Sequence, residues 1–119
     1  MSDKFKNCFI DALPDYEYDI TYDGELIARG KSLSARDKSF IEKQAMKKSF
    51  VNGELEIEID ANAMKTAYII AGLRDWKLPR KLDSESVSML TEELRDVLFN
   101  AIQEHENKAT KAVEDNEKN

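Results

Sequence analysis

The sequence predicts an α+β fold: a small N-terminal antiparallel sheet, made of a hairpin over 16–30 and a strand over 54–60, packed on three helices at about 34–48, 61–75 and 84–106. Three observations carry this. Tyr16, Tyr18, Ile20 and Tyr22 alternate with polar residues up to Asp23-Gly24, a strong hairpin signal. Period-two alternation returns in Glu54-Leu-Glu-Ile-Glu-Ile-Asp60. Val87, Leu90, Leu94, Val97, Leu98, Ala101 and Ile102 then recur at helical spacing among charged and hydroxylated residues. A chain of 119 residues holds one such core, so 1–105 reads as a single domain. Residues 106–119 are polar and nearly charge-balanced, and are expected to fray into a disordered tail.

Residues 1–15 mix Phe5, Cys8, Phe9, Ile10 and Leu13 with charges and fit neither a helical nor an alternating template, so the arm stays unassigned, packed by its aromatics. In the hairpin that follows, register favours a three-residue loop. A two-residue loop would set Ile20 opposite Ile27 and leave Leu26 and Ala28 on the acidic face. A loop over 22–24 pairs Ile20 with Leu26 and Tyr18 with Ala28, uniting the apolar sets.

Leu33-Ser34-Ala-Arg-Asp37 reads as a helix start, with Ser34 as N-cap and an acid three residues on. Between 29 and 48 there are seven Lys or Arg against two acids, and Arg36, Lys43 and Lys47 fall along one line of a helix reaching Lys48. The plain reading is a solvated face; the sharper one is a docking face for an acidic protein segment. Nucleic acid is a poorer fit, because no interleaved aromatics or glycine loop accompany the charges. On the strand at 54–60, Leu55, Ile57 and Ile59 are expected to face a core and Glu54, Glu56 and Glu58 to face water. Carboxylates in such a row lie roughly 7 Å apart, and a glutamate row discourages edge-to-edge pairing.

Asp60 or Asn62 can cap the next helix, which is apolar on almost every side. Met64, Ala67, Tyr68 and Ala71 cover one arc, while Ile69 and Leu73 lie away from it and ask for a second covering, by the last helix or by another chain. Gly72 implies a close backbone approach. Trp76, at the expected end of this helix, is read as a structural plug between two helices. A linker with Pro79 follows, and Asp83 or Ser84 opens the last helix, whose Leu90, Leu94 and Leu98 form its buried stripe. His105 extends that stripe.

Net charge of −6 disfavours broad binding to phosphates or anionic membranes. The single cysteine, Cys8, has no internal disulfide partner, and one histidine gives no zinc set, so an unoxidised intracellular chain without metal or cofactor is expected. The first residues carry no signal-type apolar run, and the apolar block at 67–73 is too short to span a bilayer. No G-x-S-x-G, H-E-x-x-H or G-x-x-x-x-G-K-[ST] string occurs, and no enzyme is expected.

Tyr68-Ile-Ile-Ala-Gly-Leu-Arg-Asp-Trp76, a short proline-containing link, and Ser84-Glu-Ser-Val-x-x-Leu90 leading to Ala101-Ile102 resemble the tail assembly chaperones of long-tailed, siphovirus-type bacteriophages. The Leu33-Ser-Ala-Arg-Asp37 start is similar to the beginning of the first helix in such proteins. The resemblance covers 33–105 and leaves the glutamate-rich strand unmatched. It implies a non-enzymatic protein of the host cytoplasm that binds the tape measure protein, keeps it soluble, helps recruit tail tube subunits, and is not found in the mature virion. Many such proteins are also made in a second, longer form by frameshifting near the end of the gene. On this reading Ile69 and Leu73 border a client or self-association surface. The alternative is a small acidic regulatory or inhibitor module that holds a basic protein through Glu54, Glu56 and Glu58.

Overall fold

The computed structural model describes Phe5 and residues 8–117, with side chains through Lys108. Part of the unassigned N-terminal arm and the last two residues lie outside it. The chain is α+β, but its strands form two sheets, and the expected third strand of the first is not the one used.

The first hairpin pairs β1 (Glu17–Tyr22) with β2 (Glu25–Lys31). Its loop is Asp23-Gly24, with φ of 51° and 78°, the left-handed pair of a two-residue turn. The three-residue loop expected from register is therefore replaced by a different solution. Tyr22 faces Glu25 and Thr21 faces Leu26, but Ile20 faces Ala28, so Ile27 is an extra residue at a bulge. The bulge restores the apolar face that the short loop alone would have lost. It also sets Tyr18 opposite Gly30, where a Cβ would collide with the phenol ring.

Ser34 and Asp37 complete the expected capping box: Asp37 N–H donates to Ser34 Oγ at 3.1 Å and Ser34 N–H to Asp37 Oδ2 at 3.0 Å. Helix α1 (Ala35–Ala45) ends earlier than predicted, and the chain continues directly into β3 (Met46–Val51), which turns at Asn52-Gly53 into β4 (Glu54–Ile59). These two strands form a separate sheet. Alternating apolar positions on β3 match those on β4, and a ladder of backbone bonds displaces the last helical turn.

Asp60 caps α2 (Ala61–Gly72), accepting from Asn62 and Ala63 N–H. The helix stops at Gly72, where a Cβ would stand 2.8 Å from Ile102 Cδ1, so the close approach inferred there is real and its partner is the last helix. Leu73 then opens β5 (Leu73–Trp76), which pairs antiparallel with β2 and completes the order β1-β2-β5. Trp76 thus sits on a strand opposite Ala28, not at a helix end.

The predicted helix over 84–106 is broken. Asp83 caps a short α3 (Ser84–Ser88), accepting from Ser86 N–H at 2.8 Å, and α4 (Glu92–Glu117) starts afresh after a turn. Helix α4 also runs on through Glu117, past the point where the apolar stripe ends and a disordered tail was expected.

Helix α2 is central and packs against α1, α3 and α4. Ile20 and Ala28 from the sheet, Ile41 from α1, Ala67 and Ile69 from α2, and Leu98 and Ile102 from α4 meet in one core. Arg95 on α4 fastens the start of α2, donating to the Asn62 carbonyl at 2.9 Å and Thr66 Oγ1 at 2.6 Å.

Candidate functional site: an apolar arm

The strands β3 and β4 project as an arm whose every residue is exposed. Its register sorts the side chains sharply. Met46 faces Ile59, Lys48 faces Ile57 and Phe50 faces Leu55, giving one face that is apolar apart from a lysine stem. Lys47 with Glu58, Ser49 with Glu56 and Val51 with Glu54 make the other. Phe50 is 77% exposed and Ile59 71%, values far from those of a core strand. Leu55, Ile57 and Ile59, expected to be buried, therefore face solvent: β4 pairs with β3 in a separate sheet, and the third place beside β2 belongs to β5.

The base of the arm is clamped. Asp60 N–H donates to the Ala45 carbonyl at 2.7 Å, and the Asp60 carboxylate that caps α2 also pairs with Lys47 Nζ at 3.1 Å. Hydrogen bonding from Ala63 N–H first, and then from Lys47, holds that carboxyl below its usual range. Where the arm meets the body, Met46, Ile57 and Ile59 look across a groove of about 360 Å³ at Ile41, Ala45, Met64 and Tyr68. The groove is open and mostly apolar, with Glu42 on its lining. Such a concavity suits an apolar stripe on a partner helix.

The residues predicted to bind a partner are distributed differently. Ile69 is fully buried and Leu73 nearly so, which corrects their assignment to a partner surface: the second covering they required is supplied by α4 and by the sheet. Arg36 and Lys43 remain on the exposed side of α1, but Lys47 has left their line for β3 and its ion pair with Asp60. Among the structural residues, Gly72 and Leu98 are buried as expected. Trp76 is half-buried against the core, and its indole N–H donates to the Arg80 carbonyl at 2.6 Å. With Leu90, Leu94, Pro79 and the exposed Met89 it lines a small apolar notch of about 190 Å³. Of the N-terminal aromatics, Phe5 and Phe9 are both exposed.

His105 stacks on Tyr18 with ring centroids 3.9 Å apart, and its Nε2 lies 2.8 Å from Ser32 Oγ. Neighbouring Glu106 accepts from Leu33 N–H at 3.2 Å. Burial, and then the Glu106 charge, raise the Tyr18 phenol above its ordinary value. Ser32 is itself buried, so this cluster ties α4 to β1 and the end of β2 and offers no open nucleophile.

The apolar residues of the arm were missed as a site, although a signal existed. Met46, Phe50 and Val51 precede Asn52-Gly53 as Leu55, Ile57 and Ile59 follow it, the same symmetry that marks the first hairpin. Among the described residues no group of three His, Cys, Asp or Glu is placed to hold a metal ion, and no helix is long and apolar enough to cross a membrane. In comparisons with known proteins, no family model matches the chain, and no curated protein and no solved structure matches it significantly.

Proposed function

We propose that the chain is a tail assembly chaperone of long-tailed bacteriophages, acting without catalysis in the host cytoplasm. It binds the tape measure protein, keeps it soluble, helps recruit tail tube subunits, and stays out of the mature virion. The observation that carries this is the arm: Met46, Phe50, Leu55, Ile57 and Ile59 present an apolar face on a body whose own core is complete without them. Exposed apolar area of this kind marks an interaction surface. A tape measure is largely long helix with apolar stripes, and the groove between the arm and helices α1 and α2 matches one such stripe. The motif resemblance at 68–76 and 84–102 supplies the client's identity, and the acidic net charge keeps the complex soluble.

The test is co-expression with the long helical protein encoded next downstream. The chaperone reading expects that protein to stay soluble and to copurify, and expects Phe50→Asp with Ile57→Asp to return it to the pellet while the domain keeps its thermal unfolding midpoint. A client that remains insoluble, or fails to copurify, overturns the reading. The regulatory alternative draws on Glu54, Glu56 and Glu58, which share the polar face of β4. It expects a basic partner lost on replacing those three by Gln, with Phe50→Asp silent.

A further inference from the structure

We propose that the arm joins copies of this chain head to tail, the open edge of β4 in one copy pairing with the open edge of β3 in the next. Among the described residues the sheet formed by β3 and β4 has two strands, so each presents one row of backbone N–H and C=O groups that no described strand pairs with. A lone two-stranded hairpin is marginal in water, and this one is exposed along its whole length.

The charges on the two edges differ and choose the partner. Strand β3 carries Lys47 and Lys48 and no acid; β4 carries Glu54, Glu56 and Glu58 and no base. A symmetric β4 to β4 contact would oppose one glutamate row to another, which is destabilising. A symmetric β3 to β3 contact would bring the lysines of two copies together and leave both acidic edges open. Antiparallel pairing of β4 with the β3 of another copy, in the register the arm already uses internally, sets Lys47 beside Glu58. It also places Met46 next to Ile59 and Phe50 next to Leu55 across the junction, so the apolar faces of neighbouring arms merge into one. The glutamate row therefore blocks like edges and accepts the lysine edge. Because the contact joins two different surfaces, each added copy leaves one edge of each kind free, and the assembly grows until it closes on itself. No client is involved, so the inference stands or falls apart from the chaperone reading.

Light scattering on the full chain alone should show mass rising with concentration above that of one protomer. Replacing Glu54, Glu56 and Glu58 by Gln should weaken the association by up to about five-fold, the loss of the Lys47–Glu58 pair at the junction. Direction is read by crosslinking. With Cys8→Ser as background, a Lys47→Cys chain mixed with a Glu58→Cys chain should give a crosslinked heterodimer with a short thiol-reactive reagent, and neither chain alone should crosslink. A chain that stays monomeric at all concentrations overturns the proposal, as does a homodimer formed by either variant alone.

Discussion

Both hairpins turn on the same local device, a left-handed Asx followed by a left-handed glycine: Asp23 and Gly24 in one, Asn52 and Gly53 in the other. Both alternate apolar with polar residues, and both have strands of similar length. Yet Ile20 and Ala28 are buried, whereas Ile57 and Ile59 are not. The first hairpin gains β5 along its edge and has its apolar face in the common core, while α4 brings His105 onto Tyr18. The second meets the body only at its base, where Asp60 clamps it. Local code therefore specifies a hairpin, and the availability of a covering surface decides whether its apolar face becomes core or interface.

That contrast is most strongly tested by truncation. Ile20→Ala should lower stability by about 2–5 kcal/mol, the usual range for a buried isoleucine, whereas Ile57→Ala should change it by no more than about 0.5 kcal/mol. Urea unfolding midpoints measure both, and equal losses would show that the arm shares the folding core. Glycine replacement comes next. Gly30→Ala forces a methyl group into the Tyr18 ring, which is held by its stack on His105, and should destabilise by about 1–3 kcal/mol. Gly53→Ala meets no atom within 4 Å. It carries only the left-handed backbone penalty of about 1–2 kcal/mol, which should appear as faster amide exchange in the arm without a change in global melting.

Ser34→Ala removes one half of the capping box immediately after the first hairpin and should lower the melting free energy by about 1 kcal/mol. The gentlest probe is alkaline pH. Tyr18 and Tyr22 both have folded-state values raised above 10.0, Tyr22 to about 12 through its hydrogen bond to Glu93. The unfolded chain then loses its phenol protons first, so stability is complete below pH 10.0 and declines as pH rises through the folded values. Tyr22→Phe should flatten part of that decline in a melting series from pH 9 to pH 12, about the window set by ordinary phenol titration.

Several features were legible because they depend on neighbours in the chain. Ser34 with Asp37, Asp60 before Ala61, and Asp83 before Ser84 are caps whose donors lie two or three residues away. Leu98 and Ile102 are buried because one helix has one apolar stripe. The errors share another cause. Met46 to Lys48 is compatible with a last helical turn until a matching strand pairs with it, and Lys47 changed element with that pairing. Leu73 and Trp76 extend a helical apolar pattern, but Gly72 lies so close to Ile102 that the chain leaves the helix there and joins β2. The break between α3 and α4 falls inside a stripe whose periodicity runs through it.

By itself the sequence determined the fold class, the place of the first hairpin, the starts of α1, α2 and α3 and the apolar sets, since each follows from backbone preference and period within a few residues. Only the tertiary structure decided which apolar set is covered. The third place beside β2 is taken by β5, which follows directly from the buried end of α2, while β4 pairs with β3. The arm is left outside with its apolar face open, an outcome that no local pattern records.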